Sequence, residues 1–351
     1  MCSRTSALLQ WFDKGLPSER PGMVKGTRSI LRSVDAASQA ILVLGSPRSG
    51  TTWLAKILDS HPDVLYRHEP DEVSRPVAGI DPHQQLTRWI RERSARVAAK
   101  PPLFPKSWLP QPLSAVRAGV GHALKGVSRL PLVGSRVAGW GVPDLVALER
   151  HPDVRVALKL VNWNANAVLR ALPGCRALFI LRHPCGQIAS AMTGAAQRRL
   201  ATAPSGRLSG YDEAATMEYA ARHGVDASGF RALSEAARQA WNWRAFNEPT
   251  LAELGALPNV RLVRYEDLCA DPDTVARSLF FFLGLSWHRQ TADFIARSTH
   301  YQGVADYFSV FRSTSEVAGQ WRRRMPADAQ KAVRSVVLDS PLAGYWNDLV
   351  R

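Results

Sequence analysis

Acidic side chains, cysteines and long apolar runs are all scarce in this sequence, and each scarcity closes off a class of protein. The four cysteines, Cys2, Cys175, Cys185 and Cys269, are scattered, with no Cys-x-x-Cys pair and no companion histidine spacing. Neither a zinc site nor a disulfide framework is indicated, so no bound metal is expected and a reducing compartment is the simpler setting. No run of about 18 apolar residues occurs, and the apolar stretch near the first methionine is too short for a signal peptide or an anchor. The expectation is a soluble, cytoplasmic protein. Thirty Asp and Glu stand against 45 Lys and Arg, a formal charge of +15. That excess favours anionic partners: nucleotides, sulfated or phosphorylated molecules, nucleic acid or an acidic membrane. No recognition motif for nucleic acid accompanies the charge, so nucleic acid is not expected.

What is present is an ordinary globular composition, 46% hydrophobic and 21% charged over 351 residues, enough for one large domain with insertions. Residues 1–38 are polar, basic and weakly periodic and read as an N-terminal extension; residues 39–351 form the domain. "AILVLG" is a continuous apolar run closed by Gly45, as in a strand buried on both faces. "TTWLAKILDSHP" then carries Leu54, Ile57 and Leu58 at helical spacing and stops before Pro62. Residues 154–161, 175–184 and 259–268 repeat the strand signal, the second followed by a helical "GQIASAMTGAAQRRL". After the third, Asp271 is expected as N-cap, Pro272 as the first helical residue and Gly284 as the stop, with Val275, Leu279, Phe282 and Leu283 on one face. Alternating strands and helices predict an α/β fold of P-loop type, three layers with a central parallel sheet flanked by helices. Residues 81–143 and 194–235 break that rhythm and read as insertions of the kind that carry a second substrate. "HPDV" occurs at 61–64 and again at 151–154, too short a match for an internal repeat.

The chemistry begins in "GSPRSGTTWL". Gly45 and Gly50 have the spacing of a Walker A loop, but Thr51 stands where its lysine belongs and the basic residue is Arg48. A loop between a buried strand and a helix N-terminus offers backbone N–H groups and a positive dipole end to an anion. Ser49, Thr51 and Thr52 add hydroxyls, and Arg48 can fork onto two oxygens where the Walker lysine acts as a point charge. In a kinase or NTPase a later strand ends in an aspartate that holds Mg²⁺. Here the strand of "LFILRHPCGQIAS" ends in Arg182, with Ser190 one helical stretch on. A metal ligand is thereby replaced by a second anion clamp.

These segments resemble the sulfotransferases. "GSPRSGTTWL" is similar to their 5′-phosphosulfate loop, "LRHPCGQIAS" to their 3′-phosphate site with an Arg and a Ser eight positions apart, and "VRYEDLCADPDTVARSLFFFLGL" to the segment that follows. The resemblance implies 3′-phosphoadenosine-5′-phosphosulfate (PAPS) as donor, with no metal. By position, Arg48 would face the bridging oxygen of the phosphosulfate, Ser49, Gly50, Thr51 and Thr52 would hold the 5′-phosphate, and Arg182 and Ser190 the 3′-phosphate. Trp53 would lie near the adenine, although a core aromatic reads the same way, and Tyr265 resembles the family's adenine-side tyrosine.

Two departures matter. The phenol and steroid enzymes of the family carry a Lys-Thr-His strand whose histidine is the base; the matching "LKLVN" keeps Lys159 but has Val161 at the histidine position. Their C-terminal Arg-Lys-Gly is also missing, since "STSEVAGQWRRR" offers Gly319 and Trp321 with Arg322, Arg323 and Arg324 beyond. "DVLYRHEP" (63–70) instead resembles the Glu-Pro segment of the carbohydrate enzymes. Glu69 is therefore the expected catalytic base, with His68 as the alternative, and Lys159 is expected to assist. The expected acceptor is a hydroxyl of a carbohydrate, a glycolipid or another small molecule, with an alkyl or polyketide alcohol second. A P-loop kinase or NTPase is the competing reading. Between residues 88 and 136 ten Lys and Arg meet almost no acid, and this stretch is expected to lie over the cleft and meet an anionic membrane peripherally or an amphipathic acceptor.

Overall fold

The computed structural model describes residues 36–73, 79–91, 102–127, 144–146, 148–160, 166–196, 212–299 and 317–350. Five strands form one sheet: β1 (Ala40–Leu44), β2 (Val64–His68), β3 (Arg155–Lys159), β4 (Arg176–Leu181) and β5 (Val260–Arg264). Their order is β2-β3-β1-β4-β5 and every pairing is parallel. The principal helices, in chain order, are α1 (Thr51–Asp59), α2 (Pro82–Arg91), α3 (Gln111–Val127), α4 (Pro184–Ala196), α5 (Glu235–Leu254), α6 (Tyr265–Ala270), α7 (Pro272–Leu283), α8 (Arg289–Thr299) and α9 (Ala327–Val337).

Because crossovers put helices on both faces of a parallel sheet, its strands are apolar on both sides. Ile41, Val43, Leu178 and Ile180 pack with α1, α7 and α8, while Leu42, Leu44, Leu158 and Phe179 pack with α2, α4, α5 and α9. The predicted α/β architecture is therefore the observed one. After β1 the chain crosses toward β2, and after β4 toward β5. Connections that leave two neighbouring strands in opposite directions open a crevice at the strands' carboxyl ends, which is where open α/β sheets bind ligands.

Local predictions held closely at α7. The Asp271 carboxylate caps it by accepting from Thr274 N–H at 3.1 Å, Pro272 opens it and Gly284 closes it in the left-handed conformation. Its inward face differs from the expected one: Ala276, Leu279, Phe280 and Leu283 are buried, whereas Val275 and Phe282 are only partly so. The expected strand over 259–268 stops at Arg264. Glu266 and Asp267 stand in the first turn of α6, where acidic residues favour a helix start.

The stretch 81–143 is less of an appendage than its composition suggests. Leu86, Trp89 and Ile90 of α2 sit in the main core. Two of its cations are internal. Lys106 donates to Asp59 Oδ1 at 2.9 Å, Val64 O at 2.6 Å and His61 O at 3.2 Å, pinning the segment to the turn between α1 and β2. Burial above all pushes the Lys106 ammonium down to about 8, against the pull of Asp59. Arg117 reaches Asp144 Oδ1 at 3.5 Å. Within 194–235, Ala220 and Phe230 likewise join the main core. No helix among the described residues is long and apolar enough to cross a membrane. Residues 1–35, assigned above to an extension, lie outside the described residues.

Candidate active site

The turn after β1 is shaped by two glycines that nothing else can replace. A Cβ on Gly45 would stand 2.7 Å from the Ile180 carbonyl oxygen of the neighbouring strand, and Gly45 has φ 151°. Gly50, the N-cap of α1, has φ 108°, and a Cβ there would meet the Tyr265 ring at 2.5 Å. Between them Ser49 N–H bonds back to Ser46 O at 3.1 Å, and Arg48 takes φ 71°, a left-handed conformation that non-glycine residues adopt at a cost. No side chain caps α1. Its first N–H groups and its positive dipole end are thus presented at the crevice. Ser49 Oγ is fully buried and has no hydrogen-bond partner.

The second clamp starts where β4 ends. Arg182 is fixed from its backbone by Trp243 Nε1, which donates to its carbonyl at 3.2 Å. Its guanidinium stacks 4.4 Å from the Tyr265 ring centroid and donates through Nη1 to Arg48 O at 3.0 Å. Its Nε is buried with no partner. From α4, Ser190 Oγ accepts from both Nε and Nη2 of Arg48, each at 3.3 Å. Ser46 and Gln187 exchange hydrogen bonds of 3.1 and 2.8 Å alongside. The sequence motifs assign Arg48 and Ser190 to different phosphates; the structure brings them into contact and joins the two clamps into one lining. Ser46 and Gln187 were not singled out by sequence, although Gln187 lies between Arg182 and Ser190 on the same motif.

Trp53 is buried in the core that contains α8, its indole N–H bonded to Ser298 Oγ at 3.2 Å and its ring edge-on to Tyr265 at 6.4 Å. Tyr265, at the start of α6, packs against both Gly50 and Arg182 and so couples the two clamps. Thr51 is buried in the first turn of α1 and Thr52 is half-buried. The C-terminal segment adds a lid of aromatic rings behind Arg182: Trp321 stacks on His183 with centroids 4.5 Å apart, and a Cβ on Gly186 would stand 3.2 Å from Trp321.

A second cluster lies at the carboxyl ends of β2 and β3. Glu69 follows β2 with φ 54°, its N–H bonded to Lys159 O at 2.9 Å, and the Lys159 ammonium forms an ion pair with Glu69 Oε1. His68 Nε2 lies 3.6 Å from Glu69 Oε2, and His68 Nδ1 lies 2.7 Å from the Tyr66 hydroxyl. Burial first, with the charges of Glu69 and Asp59 added, raises the Tyr66 phenol well above its ordinary value, so it keeps its proton. With a carboxylate facing Nε2, the imidazole proton is best placed there, leaving Nδ1 to accept from Tyr66. All three residues expected at the acceptor, Glu69, His68 and Lys159, are thus adjacent. Val161 lies outside the described residues.

The chemistry of such a lining is anion binding without a lysine point charge, beside a carboxylate and an imidazole suited to proton transfer. A profile described as "Sulfotransferase family" matches residues 40–289. A 70-residue stretch, 19% of this chain, is 41% identical to carbohydrate sulfotransferase 5 of Mus musculus; it spans only 18% of that protein's length. Among solved structures, a sulfotransferase from Alicyclobacillus acidocaldarius is 18% identical, with 89% of this chain and 98% of that one covered and a TM-score of 0.42. Mouse sulfotransferase SULT7A1 complexed with PAP is 16% identical over 89% of this chain and 87% of that one, with a TM-score of 0.41. With the profile covering well over half of its length, the chain belongs to the sulfotransferase family.

Proposed function

We propose that the protein transfers a sulfuryl group from PAPS to an acceptor hydroxyl, of a carbohydrate or glycolipid in the first instance. The observation that carries the donor assignment is the pair of orphaned buried donors, Ser49 Oγ and Arg182 Nε, one in each clamp. Buried polar atoms without partners are costly unless a ligand satisfies them. An anion at each clamp would do so, and the uncapped α1 N-terminus adds further donors at the first.

The donor, when bound, supplies an activated sulfuryl group and a phosphate leaving group. Every other part is done by side chains of this chain. Ser49, Gly50, Thr51 and Thr52 hold the 5′ end, with Arg182 and Ser190 at the 3′-phosphate and Trp53 and Tyr265 toward the adenine. Arg48 can exchange the Ser190 hydroxyl for phosphate oxygens and offset the charge that develops on the departing group. Glu69 takes the proton that the acceptor hydroxyl sheds as its oxygen bonds to sulfur, and His68, held by Tyr66, orients the carboxylate or substitutes for it. Lys159, on a flexible stem, can leave Glu69 for a sulfonate oxygen as charge moves. Positioning and preorganised electrostatics of this kind carry most of a group transfer between oxygens.

An alkyl or polyketide alcohol is the second acceptor class. The kinase reading finds no support at the end of β4, where Arg182 stands in place of a metal-binding aspartate. Mass spectrometry of host extracts incubated with the protein and PAPS tests the proposal. One or more hydroxylated species should gain the mass of one sulfuryl group; phosphorylation with ATP instead would overturn it.

A further inference from the structure

The peptide bond between Arg182 and His183 belongs to no regular element, because β4 ends at Leu181 and α4 begins at Pro184. Both residues are buried. A buried peptide outside a ladder or a helix must find partners for its own two polar ends. Here both partners are side chains from far along the chain. The Arg182 carbonyl accepts from Trp243 Nε1 at 3.2 Å, and the His183 N–H donates to Glu266 Oε1 at 3.0 Å. The second oxygen of the same carboxylate accepts from Trp346 Nε1 at 3.1 Å. Trp346 in turn packs against the His183 ring, with centroids 5.3 Å apart, and against Trp243 at 6.1 Å. Glu266 thus closes a ring of contacts around a single peptide plane.

Glu266 follows Tyr265 in the first turn of α6, and the two neighbours grip Arg182 at opposite ends. The Tyr265 ring lies 4.4 Å from the guanidinium, while Glu266 holds the peptide that leaves the Arg182 Cα. With its carbonyl and its N–H both engaged, that peptide plane cannot turn. The ψ angle of Arg182 and the place of its unpartnered Nε are therefore set together. Charge gives Glu266 no other reason to be here. Burial pushes its carboxyl up, against the hydrogen bonds from His183 and Trp346 and the nearby charge of Arg182. A carboxylate beside an anion clamp also opposes the charge of the ligand. Its contribution is the hydrogen bond, and the cost in electrostatics is the cost of a rigid arginine.

We propose that Glu266 is a positioning residue for the donor's 3′-phosphate, acting through the His183 N–H to hold Arg182 in place. The inference rests on the reading of Arg182 as the 3′-phosphate clamp. Calorimetric titration of the full chain with adenosine 3′,5′-bisphosphate and with adenosine 5′-monophosphate isolates that clamp, since the ratio of the two affinities reports the 3′-phosphate alone. The wild type should prefer the bisphosphate by tens of fold. Glu266→Asp keeps the charge but withdraws the carboxylate by one methylene, so the ratio should fall about tenfold while monophosphate affinity stays unchanged. Glu266→Gln keeps the reach and one accepting oxygen but drops the charge, and its ratio should stay within about threefold of wild type. The reverse order, a weak Gln variant and an intact Asp variant, would make Glu266 an electrostatic element and overturn the proposal. So would an Asp variant that weakens both nucleotides equally, because the loss would then be one of general structure. A wild type with no preference between the nucleotides would instead remove the 3′-phosphate clamp itself, which tells a failure of the donor reading apart from a failure of Glu266 alone.

Discussion

Arg48 and Ser190, 142 residues apart, meet in a two-pronged contact: Nε and Nη2 of the arginine both point at the serine hydroxyl, each at 3.3 Å. The Gly-rich loop after β1 and the helix after β4 therefore line one continuous surface, the one proposed to hold the donor's phosphates. With Arg182 Nη1 on the Arg48 carbonyl, each clamp positions the other.

Adenosine 3′,5′-bisphosphate, the product left by the donor, should raise the melting temperature, and ATP with Mg²⁺ should do so far less. Binding to the folded state alone stabilises by mass action. Arg182→Ala removes a charge-assisted partner that contributes on the order of 2 kcal/mol, so affinity should drop by tens of fold and the thermal shift should largely vanish. An equal, Mg²⁺-dependent shift from ATP would favour the kinase reading.

Gly50→Ala should be among the more damaging single-methyl changes in the chain. The added carbon would stand 2.5 Å from Tyr265 Cδ2, on a residue with φ 108°. Left-handed strain and overpacking each cost roughly 1–3 kcal/mol, and the displaced Tyr265 also supports Arg182. Urea denaturation should show a loss of that order together with weakened bisphosphate binding. A variant as stable as wild type with intact binding would show that the loop is more compliant than its packing indicates.

Much of this site could be read directly from the residues, for reasons that differ by element. β1, β4 and the Gly loop announce themselves because a strand buried on both faces must be continuously apolar and a tight turn needs glycine. β2 did not, since "VLYRH" hides two polar residues whose burial depends on partners far along the chain: Arg67 on Asp144, and His68 on Tyr66 and Glu69. α5 went unmarked because its buried side includes Gln239, Arg244, Asn247 and Glu248, with Arg244 and Glu248 paired at 2.6 Å. Polar burial of that kind leaves no hydrophobic periodicity. The two "HPDV" segments do share a local structure: Val64 N–H bonds His61 O at 3.2 Å and Val154 N–H bonds His151 O at 3.1 Å. Each is a turn that feeds one of two adjacent parallel strands. Likewise, the internal pairing of Lys106 and Arg117 could not be read from residues 100–143, which hold no Asp or Glu, because the carboxylates of Asp59 and Asp144 come from outside that stretch.

Stability should depend on pH through His183, beside Arg182. Burial above all pushes its imidazole down to about 4, with Arg322 and Arg334 adding to the effect and Asp348, 3.4 Å away, opposing it. The unfolded chain takes up a proton near 6.5 that the folded chain refuses until about 4. The unfolded state thus binds more protons in that window, and stability falls as pH is lowered through it, by roughly 3 kcal/mol in all. His183 Nδ1 also accepts from Cys185 N–H at 3.2 Å at the start of α4. Asparagine can make the same cap, so His183→Asn should flatten the difference in denaturation midpoint between pH 7 and pH 5. An unchanged pH dependence in that variant would assign the effect to other groups.

Glu69 is proposed as the base, and its ion pair with Lys159 makes the test a sharp one. A positioned carboxylate that accepts the hydroxyl proton contributes on the order of 10²-fold or more to turnover, and the isosteric amide cannot accept it. Glu69→Gln should therefore bind adenosine 3′,5′-bisphosphate as well as wild type, because the clamps around Arg48 and Arg182 are untouched, yet turn over about a hundredfold more slowly. If Glu69 merely holds Lys159 in place, the amide still offers an oxygen to the ammonium and most activity should survive. His68→Asn separates the remaining possibility. Its loss should be smaller, reflecting the 3.6 Å contact that steers the carboxylate and the bond to Tyr66 that steers the imidazole. Tyr66→Phe should then resemble His68→Asn, since both release the same ring. Should Glu69→Gln turn over normally while His68→Asn fails, the proton passes to the imidazole, and Tyr66 becomes the group that sets its tautomer.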